Sequence, residues 1–202
     1  MDFDRGKKIK FLVSGFESFL DIKENPTEAL VRNLSELRFN NIDLSIEFKA
    51  MVLPVEFKRA FVELKNVIED FKPDVVISMG VAQDRNQIEL ERVAINFWSS
   101  KYPDNVGFVP NNQSILAGGP DGVLSNLKVD LIVQDLNSKN INIKVSNTAG
   151  TYVCNSLMYE LCLDSKKNNY LAGFVHVPNN LTQEILIEST TLILTSIFEV
   201  HF

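Results

Sequence analysis

A chain of 202 residues that is 45% hydrophobic and 23% charged carries enough apolar material for one sizeable core without covalent staples. A net charge of -6 and a pI near 5.0 argue against nucleic acid and anionic membranes as partners; the only basic cluster is the short run from Arg5 to Lys10. Two cysteines cannot make a disulfide framework, and two histidines with no Cys-x-x-Cys, His-x-x-x-His or acidic calcium loop offer a metal nothing to build on, so no metal and no cofactor is expected.

Behind the N-terminal charges, Ile9 to Val13 is only strand-length, so neither a signal peptide nor a membrane span is expected, and the cytoplasm is the expected compartment. Lys8 to Ser14 reads as a buried strand stopped by Gly15, and Phe16 to Glu24 as a loop. Asn25-Pro26 opens a helix, Asn25 as cap and Pro26 at the first helical position, with Ala29, Leu30, Leu34 and Leu37 at helical spacing. Asn40-Asn41 reads as a turn and Leu44 to Leu53 as a second strand. Glu56 to Phe71 is the clearest amphipathic helix, with Phe57, Ala60, Phe61, Leu64, Val67, Ile68 and Phe71 on one face. Val75 to Gly80 follows as an unbroken apolar strand, as helices on both sheet faces require.

Gln87 to Phe97 reads as a short strand or ribbon, and Tyr102 to Pro120 as loop. Val129 to Leu136 is a helix, Ile141 to Val145 a strand, Thr151 to Leu163 a helix, and Leu171 to Val177 a strand stopped by Pro178. Ile185 to Phe198 is ambiguous by composition, and topology makes it a closing helix. The order predicts an α/β fold: one domain over residues 1–202, built on an open, mostly parallel twisted sheet with helices on both faces.

Sites in such sheets gather at the carboxyl ends of strands, and four polar features are expected there: the loop after Gly15, the segment after Gly80, Cys154 beyond Val145, and His176. Cys154 falls in the first turns of its helix, where amide dipoles favour a thiolate; a cysteine packed as a small hydrophobe is the plainer alternative. Cys162, about 12 Å further along the helix axis, is too distant to bridge to it. His176, one imidazole in an apolar strand, is a plausible base for the thiol, or else a core histidine held by a backbone bond. His201 reads as a surface residue. A carboxylate to orient His176 could be Glu89 or Glu91, which share a strand face, and either could instead pair with Arg85 or Arg92. No Gly-x-Ser-x-Gly, Gly-x-Gly-x-x-Gly or Walker lysine motif is present.

Taken together, Gly15-Phe16-Glu17-x-Phe19, Asn25-Pro26, Leu53-Pro54-Val55, Glu91-Arg92-Val93-Ala94-Ile95-Asn96, Pro103-Asp104-Asn105, Ala149-Gly150-Thr151-Tyr152-Val153-Cys154-Asn155 and Gly173-Phe174-Val175-His176-Val177-Pro178 resemble the cysteine-dependent pyroglutamyl peptidases of type I. The blocks keep that family's order and spacing from about residue 9 to about 180. The resemblance implies the family's phosphorylase/hydrolase-like α/β fold. It also implies removal of an N-terminal pyroglutamate from a peptide substrate through an acyl-enzyme, and oligomers in some members. By the same resemblance Cys154 is the nucleophile, His176 the general base and Glu91 the residue orienting the imidazole. Phe16 and Phe19 sandwich the lactam ring, and Asn25 shapes its pocket.

The chain also departs from the family. Ser18-Phe19-Leu20-Asp21 stands where Pro-Phe-Gly-Gly is usual, and Gly80-Val81-Ala82-Gln83-Asp84-Arg85 where Gly-Gln-Ala-Gly-Gly-Arg is usual, which puts Val81 in place of a substrate-facing glutamine. Lys101 replaces an arginine implicated in holding the oxyanion, supplying charge without a planar fork. A retargeted hydrolase or a non-catalytic binding protein on the same fold are the readings these changes leave beside the peptidase.

Overall fold

The computed structural model describes residues 8–33 and 46–202. In chain order its elements are β1 (Ile9–Phe16), α1 (Pro26–Arg32), β2 (Ile46–Leu53), α2 (Ala60–Phe71), β3 (Val75–Val81), β4 (Ile88–Glu91), β5 (Val93–Ile95), β6 (Gly122–Leu124), α3 (Val129–Ser138), β7 (Ile143–Ser146), α4 (Val153–Asn168), β8 (Leu171–Val177) and α5 (Gln183–His201). Leu34 and Leu37 of the first expected helix, the Asn40-Asn41 turn, the start of the second strand, and Arg5 and Lys7 of the basic cluster lie outside the described residues.

The main sheet has the order β2-β1-β3-β8-β4-β7. Four strands, β2, β1, β3 and β8, run parallel. β4 joins β8 antiparallel, and β7 runs with β4, so the last two strands form a reversed pair at one edge. The sheet is therefore mostly parallel, as expected, with one seam. One consequence corrects the sequence reading: β7 does not point its carboxyl end the same way as β8, so Cys154 is not placed by a common strand direction.

Helices cover both faces, and strand periodicity decides which residues meet which. Phe11, Val13, Val75, Ile77, Met79, Leu90, Val175 and Val177 pack with α1, α3 and α5. The alternating set, Leu12, Phe16, Val76, Ala172 and Phe174, packs with α2, α4 and the β5-β6 ribbon. The second face therefore also receives Gly80, Glu89, Glu91 and His176, each an even number of residues from a side chain of that face or opposite one in register.

Two glycines expected to end strands lie inside them. A Cβ on Gly15 would stand 2.2 Å from the Thr27 carbonyl oxygen, so glycine is required there because the first turn of α1 crosses the strand. Gly80 serves the helix that carries Cys154 in the same way, as described below. The expected Gln87–Phe97 ribbon is split at Arg92 into β4, in the main sheet, and β5, which pairs with an unanticipated β6. The second helix begins at Ala60 rather than Glu56 because the Phe57 amide donates to the Asp104 carboxylate, 3.1 Å away, instead of joining a helical ladder. Among the described residues no helix is long and apolar enough to cross a membrane.

Candidate active site

The exit of β1 begins the site. Phe16 is buried, its amide donating to Thr27 Oγ1 at 3.1 Å. Asn25 caps α1: its Oδ1 accepts from Thr27 N at 3.0 Å and Thr27 Oγ1 at 2.8 Å, while its Nδ2 donates to the Glu17 carbonyl at 3.0 Å. The cap therefore also ties down the loop that carries Phe19. Phe19 and Ile22 exchange backbone bonds across a tight turn whose first corner, Leu20, has φ +47°. That is the left-handed region, so the turn keeps a glycine's geometry without the glycine. Gln83 and Asp84, by contrast, are not in that region, and their turn makes no demand for glycine.

Phe16, Phe19, Asn25, Val55, Val81, Tyr152, Val153 and Cys154 line a narrow pocket that opens to solvent. Phe16, Phe19, Asn25 and Val81 were expected around a ligand; Val55, Tyr152 and Val153 were not. Tyr152 had a sequence signal in its place beside Cys154, and its ring lies 6.2 Å from Phe19 and 5.1 Å from Phe57.

The Pro103-Asp104-Asn105 block turns out to be a staple. Asn105 Nδ2 donates to Glu17 Oε1 at 2.7 Å and to the Ser18 carbonyl at 2.9 Å, and the Tyr152 hydroxyl donates to the Pro103 carbonyl at 2.8 Å. Lys101 lies in the same loop, exposed, outside the pocket lining and without a charged partner among the described residues. The loop is held to the base of α4 by the Thr151 hydroxyl, which donates to the Ser99 carbonyl at 2.7 Å.

α4 starts at Val153 after Gly150, whose φ of +75° lets the chain fold back, and Tyr152 provides no side-chain cap. Its first helical bond runs from Ser156 N to the Tyr152 carbonyl, leaving the amides of Val153, Cys154 and Asn155 without intrahelical acceptors. Asn155 bonds both the amide and the carbonyl of Ile95, locking the ribbon to this helix. The Cys154 sulfur lies over Gly80, where a Cβ would approach it to 2.9 Å and the Phe174 ring to 3.0 Å. Gly80 is the register partner of His176, so sulfur and imidazole share one sheet face on adjacent strands.

His176 Nδ1 lies 2.7 Å from Glu91 Oε1, with both side chains buried. A carboxylate at Nδ1 holds the proton there and leaves Nε2 as the basic nitrogen. Of the two glutamates left open by strand position, Glu91 makes this contact. Glu89 pairs with Lys144 at 2.9 Å and with Arg85. Arg85 Nη1 also meets Glu91 Oε1 at 2.5 Å, and its Nη2 donates to the Thr148 carbonyl at 2.7 Å. Arg92 instead bonds Asp130.

Desolvation pushes the Cys154 thiol up to about 12, and the negative charge of Glu91 pushes it the same way; Arg85 and the cysteine's own amide pull it down. The cysteine's own amide therefore acts in the direction expected of a helix terminus, but burial outweighs it. Cys162, fully buried eight residues on, is likewise pushed up to about 12 by burial.

Residues 9–197 match the family model for pyroglutamyl peptidase. The chain is 40% identical over 189 residues to the pyrrolidone-carboxylate peptidase of Brachyspira hyodysenteriae, covering 93% of this chain and 91% of the relative. The crystal structure of the pyrrolidone carboxyl peptidase of Fervidobacterium islandicum superposes with a TM-score of 0.87 at 31% identity, over 95% of this chain and 99% of that one. That of Thermococcus litoralis gives 0.85 at 31% identity, over 95% and 94%. A sheet with one reversed edge, a thiol over a strand glycine and a His–Glu pair beside it thus coincide with close likeness over nearly the whole length, and the chain belongs to the pyroglutamyl peptidase family.

Proposed function

We infer that this chain hydrolyses the bond after an N-terminal pyroglutamate. The observation that carries the reading is the mainly apolar pocket whose wall includes the sulfur of Cys154, with the His176–Glu91 pair on the same sheet face. A flat, uncharged lactam fits such walls, because it needs apolar contact on its faces and few hydrogen bonds. Phe16, Phe19 and Val81 supply the contact, and Asn25 sets the shape.

In this mechanism His176 Nε2 takes the thiol proton as sulfur attacks the pyroglutamyl carbonyl. The free amides at the start of α4 are the proposed donors to the developing oxyanion. His176 then protonates the leaving amine, the carbon–nitrogen bond breaks, and a thioester remains. Water, deprotonated by the same imidazole, releases pyroglutamate and restores the thiol. Glu91 fixes the tautomer and stabilises the imidazolium.

We place the enzyme in the cytoplasm, where two free thiols stay reduced. The whole chain is proposed to act as one domain, and a homo-oligomer is the assembly to look for by light scattering. The test of function is release of a fluorophore from a pyroglutamyl amide beside prolyl and alanyl amides. Cleavage of the first alone, lost on alkylation and in Cys154→Ser, is the expected result; cleavage that survives Cys154→Ser would remove the mechanism.

A further inference from the structure

Arg85 holds three groups at once: Glu89, Glu91 Oε1 at 2.5 Å, and the Thr148 carbonyl at 2.7 Å. Its side chain is 14% exposed and the two carboxylates are buried, so those two bonds are mostly shielded from solvent, while the bond to Thr148 is exposed. The oxygen it contacts on Glu91 is the one that His176 contacts, at 2.7 Å. Glu91 Oε2 has no hydrogen-bond partner among the described residues, so the carboxylate's bonds to both cation and imidazole converge on one atom. Guanidinium and imidazole nitrogens are therefore no more than about 5 Å apart, within the range where charges shift one another's titration.

The charged and titratable groups facing His176 are Glu89 and Glu91 from β4, Arg85 from the turn before it, and Cys154 from α4; Lys144 of β7 acts through Glu89. Gly80, opposite on β3, contributes none. With Arg85 present, two carboxylates are balanced by two cations and the imidazole is free to stay neutral. Without it, a buried negative charge is left over beside His176, and protonating the imidazole is the direct way to balance it. An arginine cannot lose its charge and so compensates at every working pH.

We propose that Arg85 is a positioning residue that keeps His176 neutral at working pH, ready to accept the thiol proton, while its second nitrogen fixes the carbonyl of Thr148 in the approach to the nucleophile turn. The proposal rests on the cysteine–histidine reading for its catalytic meaning, but its primary test does not use turnover. The chain has two histidines, so protein labelled with ¹³C and ¹⁵N in histidine gives two imidazole titrations, assigned by His201→Gln.

Arg85→Met should raise the pKa of His176 by about one unit, a tenfold loss of the neutral form on the acid side, and carry the acid limb of kcat/KM with it. Glu89→Gln, removing one of the two carboxylates, should move the titration the other way. Arg85→Lys should keep the wild-type titration while lowering kcat/KM, because charge survives and the fork to Thr148 does not. His201 should titrate unchanged in all three. A folded Arg85→Met in which His176 titrates as in the wild type overturns the proposal. Should that variant not fold, Glu89→Gln decides alone: no shift, or an upward one, also overturns it. If the wild type cleaves no pyroglutamyl amide, the substrate reading falls while the titrations still judge Arg85.

Discussion

At Gly80 the difference between a hydrogen and a methyl group decides where the sulfur of Cys154 can stand. A methyl there would meet sulfur at 2.9 Å and the Phe174 ring at 3.0 Å, and Phe174 is fully buried with its ring 4.8 Å from His176. Gly80→Ala is expected to displace the sulfur, lowering kcat/KM at least about 100-fold, while overpacking costs about 1–3 kcal/mol of stability. Titration of Cys154 alkylation, activity and melting temperature measure the three effects; wild-type activity in the variant would refute the crowding. The glycine itself was legible in the sequence, but as a strand end. Its partner across space, contributed by α4, was not, because no local pattern records which helix crosses which strand. The same limit applies to Arg85, whose ambiguity between Glu89 and Glu91 is resolved by its bonding both. Lys101 marks the reverse case: the resemblance suggested a role in holding the oxyanion, while its side chain is exposed and outside the lining of the pocket.

Among the elements, α5 shows how much an ambiguous segment owes to its neighbours. Its Ile- and Thr-rich run is a helix capped by Thr182 and laid against α1 and α3. Its end is pinned by His201, which is half-buried rather than a free surface residue: Nε2 accepts from the Lys128 amide at 3.1 Å, while Lys128 Nζ donates to the Val200 carbonyl at 2.9 Å. Desolvation and, after it, the charge of Lys128 lower the pKa of His201 below its ordinary value. The unfolded chain therefore binds this proton more readily than the folded one. The stabilisation is complete above about pH 6.5 and declines as pH falls toward the depressed folded value. Melting temperature followed from pH 7.5 downward should fall more steeply for the wild type than for His201→Gln, which keeps an acceptor without a titrating nitrogen; parallel curves would remove His201 from the account. α2, through its helical periodicity, and β8, through its unbroken apolar run stopped by Pro178, were readable from the sequence. The ribbon of β5 and β6 was not, being three residues in each strand and held by Asn155 from outside.

For the molecule as a whole, the fold class followed from the order of apolar runs, but strand direction at the β4–β7 edge did not, since a short buried strand has the same composition either way round. That reversed edge has its own consequence. β4 meets β8 only along Glu89–His176 and Leu90–Val175, a brief antiparallel seam beside the long parallel pairings of β1, β3 and β8. The bond from His176 to Glu91 crosses that seam. Cooperative units of a native protein open at different free energies, and a short seam is where one unit parts from another. Amides of β4 and β7 are therefore expected to exchange with deuterium together, ahead of those of β3 and β8. In mild denaturant, hydrolysis should fade before helical circular dichroism does. Coincident loss of both signals would show instead that the sheet opens only as a whole. With the seam parted, four parallel strands and their helices would persist as a folded but inactive body, so catalytic competence would report on the last fraction of the structure to assemble.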